Sequence, residues 1–323
     1  MANTIKSFSE SFALANAFTI SRGTKTHADV VRVEISDGKH TGQGECVPYA
    51  RYGETVESVI GQITSLPQNV DRLSLQETMS AGAARNAVDC ALWDLEAKQS
   101  GNPVWKLAGL PEPKPLTTAY TLSLEEPDEM RANAEANAFR PLLKLKLGTL
   151  NDIPRLEAVR EGAPNSTIIV DANEGWDVPT LRGIQSALEK IGVALVEQPL
   201  PEADDGALRE SDLSMPLCAD ESSHTSDGLQ SLVGKYDIIN IKLDKTGGLS
   251  EALKMRRMAE EMGFKIFVGC MVGTSLGMAP ATLVAQGASF VDLDGPLLLA
   301  EDRANGLRYE GSTVHPPAQN LWG

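Results

Sequence analysis

Leu142-Leu143-Lys144-Leu145-Lys146-Leu147-Gly148 carries two lysines at alternate positions. Alternation is the period of a β-strand, so both cations share one face and the leucines fill the other. Five short strand-like runs follow, at residues 168–173, 194–198, 217–221, 238–242 and 290–294, each with a polar or charged residue near its C-terminal end. Lys146, Asp171, Glu197, Asp220 and Lys242 succeed one another at intervals of 25, 26, 23 and 22 residues, by subtraction. That is about the length of one strand–helix unit. Polar groups recurring at strand C-termini are the pattern of a site at the mouth of a (β/α) barrel.

Three carboxylates converging from consecutive strand ends repel one another unless a cation lies among them. Asp171, Glu197 and Asp220 are hard oxygen donors and suit Mg²⁺, with positions left for water or substrate. Lys144 and Lys146 are expected on one side of that ion and Lys242 nearly opposite. Clustered lysines beside a dication lower one another's pKa, which predicts a neutral amine near pH 7. A substrate carboxylate on the metal would place its α-carbon between the lysines. One lysine would then take the α-proton, with metal and Lys144 stabilising the resulting ene-diolate. Two bases on opposite faces give racemisation or epimerisation; one base alone suits β-elimination or cycloisomerisation.

Three kinds of element have to position this set. Residues 1 to about 47 read as a β-meander, with strands over residues 30–35 and 41–45. Two polar loops, Ile20-Ser21-Arg22-Gly23-Thr24-Lys25-Thr26-His27 and Pro48-Tyr49-Ala50-Arg51-Tyr52-Gly53-Glu54, are placed to cover a site. Residues 54 to about 110 read as helical. Ala84, Ala87, Val88, Ala91, Leu92 and Leu95 form one buried stripe, Gly101 stops that helix and Pro103 opens a short one. Pro111, Pro113 and Pro115 make a stiff linker. Beyond it strands and helices alternate: strand one over 117–124 and its helix over 128–138, strand seven over 265–270, and helices over 250–262 and 276–286. Eight near-continuous apolar strands with intervening helices predict a closed parallel barrel. The expected organisation is an α+β capping domain over residues 1–115, a (β/α) barrel over 116–299, and a tail, 300–323, returning to the capping domain.

The chain has 323 residues, 42% of them hydrophobic, enough for a barrel with a smaller domain. A formal net charge of −15 argues against nucleic acid and anionic membranes as partners. Cys46, Cys90, Cys218 and Cys270 show neither a close pair nor metal-finger spacing. Residues 1–6 lack an apolar signal core, and no uncharged apolar run approaches membrane-spanning length. The expectation is a cytoplasmic protein with reduced thiols. A homo-oligomer is compatible with all of this.

Lys144-Leu145-Lys146, Asp171-Ala172-Asn173, Glu197-Gln198-Pro199, Asp220-Glu221-Ser222 and Lys242-Leu243-Asp244-Lys245-Thr246-Gly247-Gly248 together resemble the enolase superfamily in its muconate-lactonizing subgroup. The helix around Ala91-Leu92-Trp93-Asp94-Leu95 is similar to that family's N-terminal capping domain, so the resemblance spans nearly the whole chain. It implies a modified TIM barrel, Lys146 and Lys242 as acid/base catalysts, and Asp171, Glu197 and Asp220 as Mg²⁺ ligands. Cys270 stands on strand seven where the histidine-using subgroups place their base, which counts against those groups.

The eighth strand narrows the expectation. Asp292-Leu293-Asp294 puts two carboxylates at the mouth, where they call for a cation, and an ammonium fits. Asp-x-Asp at this place is similar to dipeptide epimerases, in which it holds the substrate's α-amino group. Ile20-Ser21-Arg22-Gly23 resembles epimerases acting on L-Ala-D/L-Glu, which implies Arg22 on the glutamate side-chain carboxylate, with Arg51 as a second candidate. The resemblance thus implies an isomerase that epimerises dipeptides at the C-terminal residue's α-carbon. L-Ala-L-Glu/L-Ala-D-Glu would be the favoured substrate and murein-peptide metabolism the context. The alternative is an o-succinylbenzoate synthase or a muconate-type cycloisomerase, whose substrates carry no ammonium.

Overall fold

The computed structural model describes residues 3–149, 151–210 and 213–323. Three antiparallel strands open the chain, β1 (Thr4–Ile20), β2 (Gly23–Ser36) and β3 (Thr41–Cys46). Four helices follow: α1 (Val56–Thr64), α2 (Arg72–Thr78), α3 (Ala83–Ser100) and α4 (Val104–Leu107). Thr55 and Asp71 cap α1 and α2 through reciprocal bonds with the serine three residues on, and Gly101 ends α3 at φ 66°.

A strand–helix series then runs β4 (Leu116–Thr117), β5 (Tyr120–Leu122), α5 (Pro127–Ala136), β6 (Leu142–Lys146), α6 (Ile153–Gly162), β7 (Thr167–Asp171), α7 (Val178–Ile191), β8 (Val193–Glu197) and β9 (Leu217–Ala219). It continues through α8 (Leu229–Leu232), β10 (Ile238–Ile241), α9 (Leu243–Thr246), α10 (Leu249–Glu261), β11 (Lys265–Val268), α11 (Ser275–Val284) and β12 (Phe290–Val291). Strands β5 to β12 form one eight-stranded sheet in sequence order, every paired neighbour parallel. The sheet curls until its ends meet, where Ala119 N donates to Val291 O at 2.8 Å. A last hairpin, β13 (Tyr309–Glu310) and β14 (Thr313–Val314), pairs with β4.

Packing explains the apolar outer face of β6. Leu143, Leu145 and Leu147 lie in the main core beside Met130, Leu156 and Val159 of the surrounding helices. Inside the barrel a separate cluster, including Ala119, Leu142, Ile169, Leu195, Cys218, Ile238 and Phe267, plugs the floor. Lys144 sits above it, its ammonium 5.3 Å from the Phe267 ring centroid. The inward face of β6 therefore passes from Leu142 at the floor to Lys144 and Lys146 at the mouth.

Several expected boundaries shift. Residues 20–27 are not a loop: β1 and β2 pair up to Ile20 and Gly23, leaving Ser21 and Arg22 as the tip of a long hairpin. Strand one splits at Thr118, whose hydroxyl accepts from Leu293 N and breaks the ladder between β4 and β5. Strands six, seven and eight end at Ile241, Val268 and Val291, so Lys242, Cys270, Asp292 and Asp294 stand in the loops just beyond.

The α+β layer docks on the barrel through α3 and β3. Arg85 donates to Thr246 O at 2.7 Å, Asn86 to Asp244 Oδ1 at 2.9 Å, and Ser250 Oγ to Asp89 at 2.6 Å. Thr274 N donates to the fully buried Glu45 at 2.8 Å. The tail contacts the same layer: Arg303 reaches Glu45 at 2.6 Å, Trp322 Nε1 donates to Cys90 O at 3.0 Å, and Gly323 N to Asp94 at 2.8 Å. Among the described residues no helix is long and apolar enough to cross a membrane.

Candidate active site

Parallel strands of similar length bring their last residues to one level. Lys146 is level with Asp171, and Asp171 with Glu197. One oxygen each from Asp171, Glu197 and Asp220 lies within 4.8 Å of the others, and all three residues are buried. Trans oxygens around an octahedral Mg²⁺ stand about 4.2 Å apart, so the donor set fits that ion with little adjustment.

The lysines stand among these carboxylates. Lys146 Nζ donates to Asp171 Oδ2 at 2.6 Å and Lys242 Nζ to Asp220 Oδ2 at 2.7 Å. Lys144 Nζ lies 2.7 Å from Glu197, 3.1 Å from Asp171 and 3.0 Å from Asp292. Strands β6 and β10 are four places apart in the eight-stranded order, which puts Lys146 and Lys242 across the barrel from each other.

The carboxylates set the charge balance of the lysines. Burial works to lower the pKa of Lys144 and Lys242, but the neighbouring carboxylates, Glu197 and Asp292 for one and Asp220 for the other, hold both well above the usual ammonium range. The neutral amine expected from the sequence is one beside a dication, whose positive charge opposes these carboxylates. Burial also works to raise Asp171 and Asp220, but Lys146 and Lys144 hold Asp171 low, and Lys242 and Lys245 hold Asp220 well below the carboxylate range. Burial, then Asp171, pushes Glu197 up to about 7.

The mouth is a cavity of about 490 Å³ roofed by the hairpin tip and by Tyr49 and Tyr52. Asp292 and Asp294 line it too, three strands away from Asp220 in the sheet order. Neither is bare: Asp292 faces Lys144, and Asp294 accepts from Thr121 N at 2.6 Å. Burial, with Asp292 beside it, raises Asp294 to about 7. Arg22 reaches down from the tip to Asn173 O at 2.7 Å and Glu221 at 2.8 Å. Arg51 clasps both oxygens of Glu174 at 2.8 Å. Both arginines thus line the cavity while already paired with protein carboxylates.

Sequence reasoning missed Lys245, Asn240, Glu221 and Glu174. Lys245 donates to Asp220 Oδ1 at 2.6 Å, so Asp220 has two lysine partners where none had been counted. Asn240 donates to Glu197 at 2.6 Å. The signals were present: Asn240 is two residues before Lys242 and shares its face, and Lys245 and Glu221 sit inside the quoted motifs. Glu174 gives no such signal, because its place depends on a left-handed backbone, φ 65°.

Residues 127–319 match the enolase C-terminal domain-like family, and residues 2–109 the N-terminal domain of the mandelate racemase / muconate lactonizing enzyme family. The chain is 43% identical to the L-Ala-D/L-Glu epimerase of Escherichia coli K12, over 97% of this chain and 99% of that one. It is 44% identical to an N-acetyl-D-glutamate racemase of a Pseudoalteromonas species, over 91% and 95%. A crystal structure of an enolase family member from Agrobacterium tumefaciens, with homology to dipeptide epimerases and holding sodium and L-Ala-L-Glu, superposes with a TM-score of 0.97 at 55% identity, covering 99% and 100%. A dipeptide epimerase from Cytophaga hutchinsonii, complexed with Mg and D-Ala-L-Val, gives 0.91 at 29%, covering 98% and 94%. The chain belongs to the mandelate racemase / muconate lactonizing branch of the enolase superfamily, among its dipeptide epimerases.

Proposed function

We propose that this chain is a Mg²⁺-dependent isomerase that epimerises dipeptides at the α-carbon of the C-terminal residue, with L-Ala-L-Glu and L-Ala-D-Glu as the favoured pair. The observation that carries the reading is the pair Lys146 and Lys242, on strands four places apart, each bonded to one member of the buried carboxylate triad. Asp171, Glu197 and Asp220 would hold the metal, whose positive charge binds the substrate carboxylate and acidifies the adjacent C–H. A cation held there would take up part of the carboxylate charge that keeps the lysines protonated. One lysine then takes the α-proton and the other returns one from the opposite face. Lys144, fixed over Phe267, holds positive charge beside the reacting carboxylate. Asp292 and Asp294 receive the α-ammonium, with Asp292 shared between it and Lys144. Arg22 and Arg51 form the opposite wall, toward the substrate side chain.

A second reading has a specific observation behind it. Asp292 already faces an ammonium and Asp294 already accepts a backbone N–H. A substrate with a neutral acylated nitrogen therefore leaves no bare charge, as for N-acetylglutamate. The same two lysines would racemise that compound. L-Ala-L-Glu and N-acetyl-L-glutamate, each incubated with the protein and Mg²⁺ in D₂O, separate the two readings by which one gains an α-deuteron. EDTA should abolish exchange and Mg²⁺ restore it; full activity in metal-free protein would remove this mechanism. We place the enzyme in the cytoplasm, in the turnover of murein-derived peptides, with small dipeptides rather than macromolecules as partners.

A further inference from the structure

The cavity rim can be read as a count of charges. Arg22 and Arg51 are the two guanidiniums facing it, and both are engaged. Arg22 donates to Glu221 at 2.8 Å and lies 3.4 Å from Glu174, while Arg51 holds Glu174 and lies 3.7 Å from Glu202. Around these two guanidiniums stand three carboxylates, of which Glu221 lines the cavity, as does Asp29 farther along β2. Glu174 cannot easily withdraw. Its backbone is left-handed, as is that of Asn173 at φ 45°, and its carboxylate also accepts Glu202 N at 2.9 Å. A substrate side-chain carboxylate entering beside the two guanidiniums would join carboxylates that already outnumber them.

Lys25 changes that balance. It stands on β2 just beyond the hairpin tip and lines the same cavity. Its ammonium is 5.0 Å from the Tyr49 ring centroid, and among the described residues no carboxylate forms an ion pair with it within 4.0 Å. Tyr49 Oη is in turn 3.4 Å from Arg22 Nη2, so the tyrosine stands between the committed guanidinium and the uncommitted ammonium. A lysine resting on an aromatic face keeps its donors and its long stem free to turn toward an anion.

We propose that Lys25 is a specificity-determining residue, supplying the charge that lets a substrate's side-chain carboxylate settle beside Arg22. The inference rests on the reading of the substrate as an acidic amino-acid derivative whose α-proton is exchanged.

The test compares L-Ala-L-Glu with L-Ala-L-Gln, equal in shape and different by one charge, on the Mg²⁺-loaded enzyme. The readout is the ratio of their kcat/KM values, in which any loss of active protein cancels. Lys25→Met should lower that ratio about tenfold, as expected for one lost charge contact, and Lys25→Arg should restore most of it. An unchanged ratio in Lys25→Met, or a Lys25→Arg variant as poor as the methionine one, overturns the proposal. Calorimetric Kd ratios for the same pair, and for N-acetyl-L-glutamate against N-acetyl-L-glutamine, give the same comparison without dipeptide turnover. Wild-type protein that binds the acidic member better but epimerises no dipeptide refutes the epimerase reading, and the Kd ratio in Lys25→Met, lowered or unchanged, then decides the role of Lys25.

Discussion

Lys146 and Lys242 each bond one carboxylate and are the two bases of the proposed reaction, so removing either would leave the other in place. Lys146→Ala and Lys242→Ala should each lower epimerisation by about 10²–10⁴-fold, the range for losing a positioned base. Each variant should still exchange the α-proton of one substrate epimer with D₂O. Normal epimerisation by either variant would sink the two-base assignment. At Asp294, the α-ammonium contact can be isolated by a cycle of two enzymes against free and N-acetylated dipeptide. Losing a buried charge partner costs about 2–5 kcal/mol, so acetylation and Asp294→Asn should each lower kcat/KM by more than tenfold. Together they should cost little more than either alone, because both delete one contact. Additive losses would show that Asp294 does not meet the ammonium. At this scale the sequence was legible where the period of two put Lys144 and Lys146 on one strand face, and where Asp171 and Glu197 recurred at strand C-termini. It was not legible where a side chain's partner comes from another strand. Lys245 opposite Asp220, and Glu174 between two arginines, depend on tertiary placement.

Among the elements, the contact of β3 with α3 is set by glycine. A Cβ on Gly44 would lie 2.1 Å from Ala87 O, and one on Gly42 equally close to Ala91 O. The strand therefore lies directly on the helix backbone, and Glu45, the next residue, is aimed at Thr274 across the domain contact. Gly44→Ala should reduce stability by about 1–3 kcal/mol or more, as overpacking of a closed contact does, measured by denaturant unfolding. A variant as stable as wild type would mean that the layer yields more readily than its packing indicates. The helix stripe on α3 was legible because six small or apolar residues recur at helical spacing. The ends of strands six to eight were not. The notional strands run on to residues 242, 270 and 294, while the observed ones end at Ile241, Val268 and Val291, beyond which Gly269 N and Asp292 N add one bond each, to Ile241 O and Val268 O. Hydrogen-bond partners, not hydrophobicity, set those ends.

Over the whole molecule, buried carboxylates without a cation partner tie the α+β layer to the barrel. Asp244 accepts Val47 N at 3.0 Å and Asn86 Nδ2 at 2.9 Å, and burial raises it to about 7; burial raises Asp89, against Ser250, to about 6. A carboxyl raised in the folded state binds a proton there at pH values where the unfolded chain has lost it. Its contribution is present below the unfolded value near 4 and lost as pH rises toward 7. Asp244→Asn should remove that part of the slope. The stability difference between variant and wild type should change with pH between about 4 and 7, by on the order of a few kcal/mol. A pH-independent difference would contradict the assignment. The barrel as a whole was legible from the recurrence of polar strand ends, since a closed parallel sheet imposes one repeat length on the chain. The long hairpin roofing the site was not, because Gly23 and the polar residues 24–27 carry the composition of a loop.

The central claim is proton exchange at one carbon between two lysines. Its most direct measurement is incubation of L-Ala-L-Glu with the Mg²⁺-loaded protein in D₂O, followed by mass spectrometry and chiral separation. The expected product is L-Ala-D-Glu carrying one deuteron at the glutamate α-carbon, formed at least about a hundredfold more slowly by the Lys146→Ala and Lys242→Ala variants. A dipeptide that keeps both its configuration and its α-proton would contradict it.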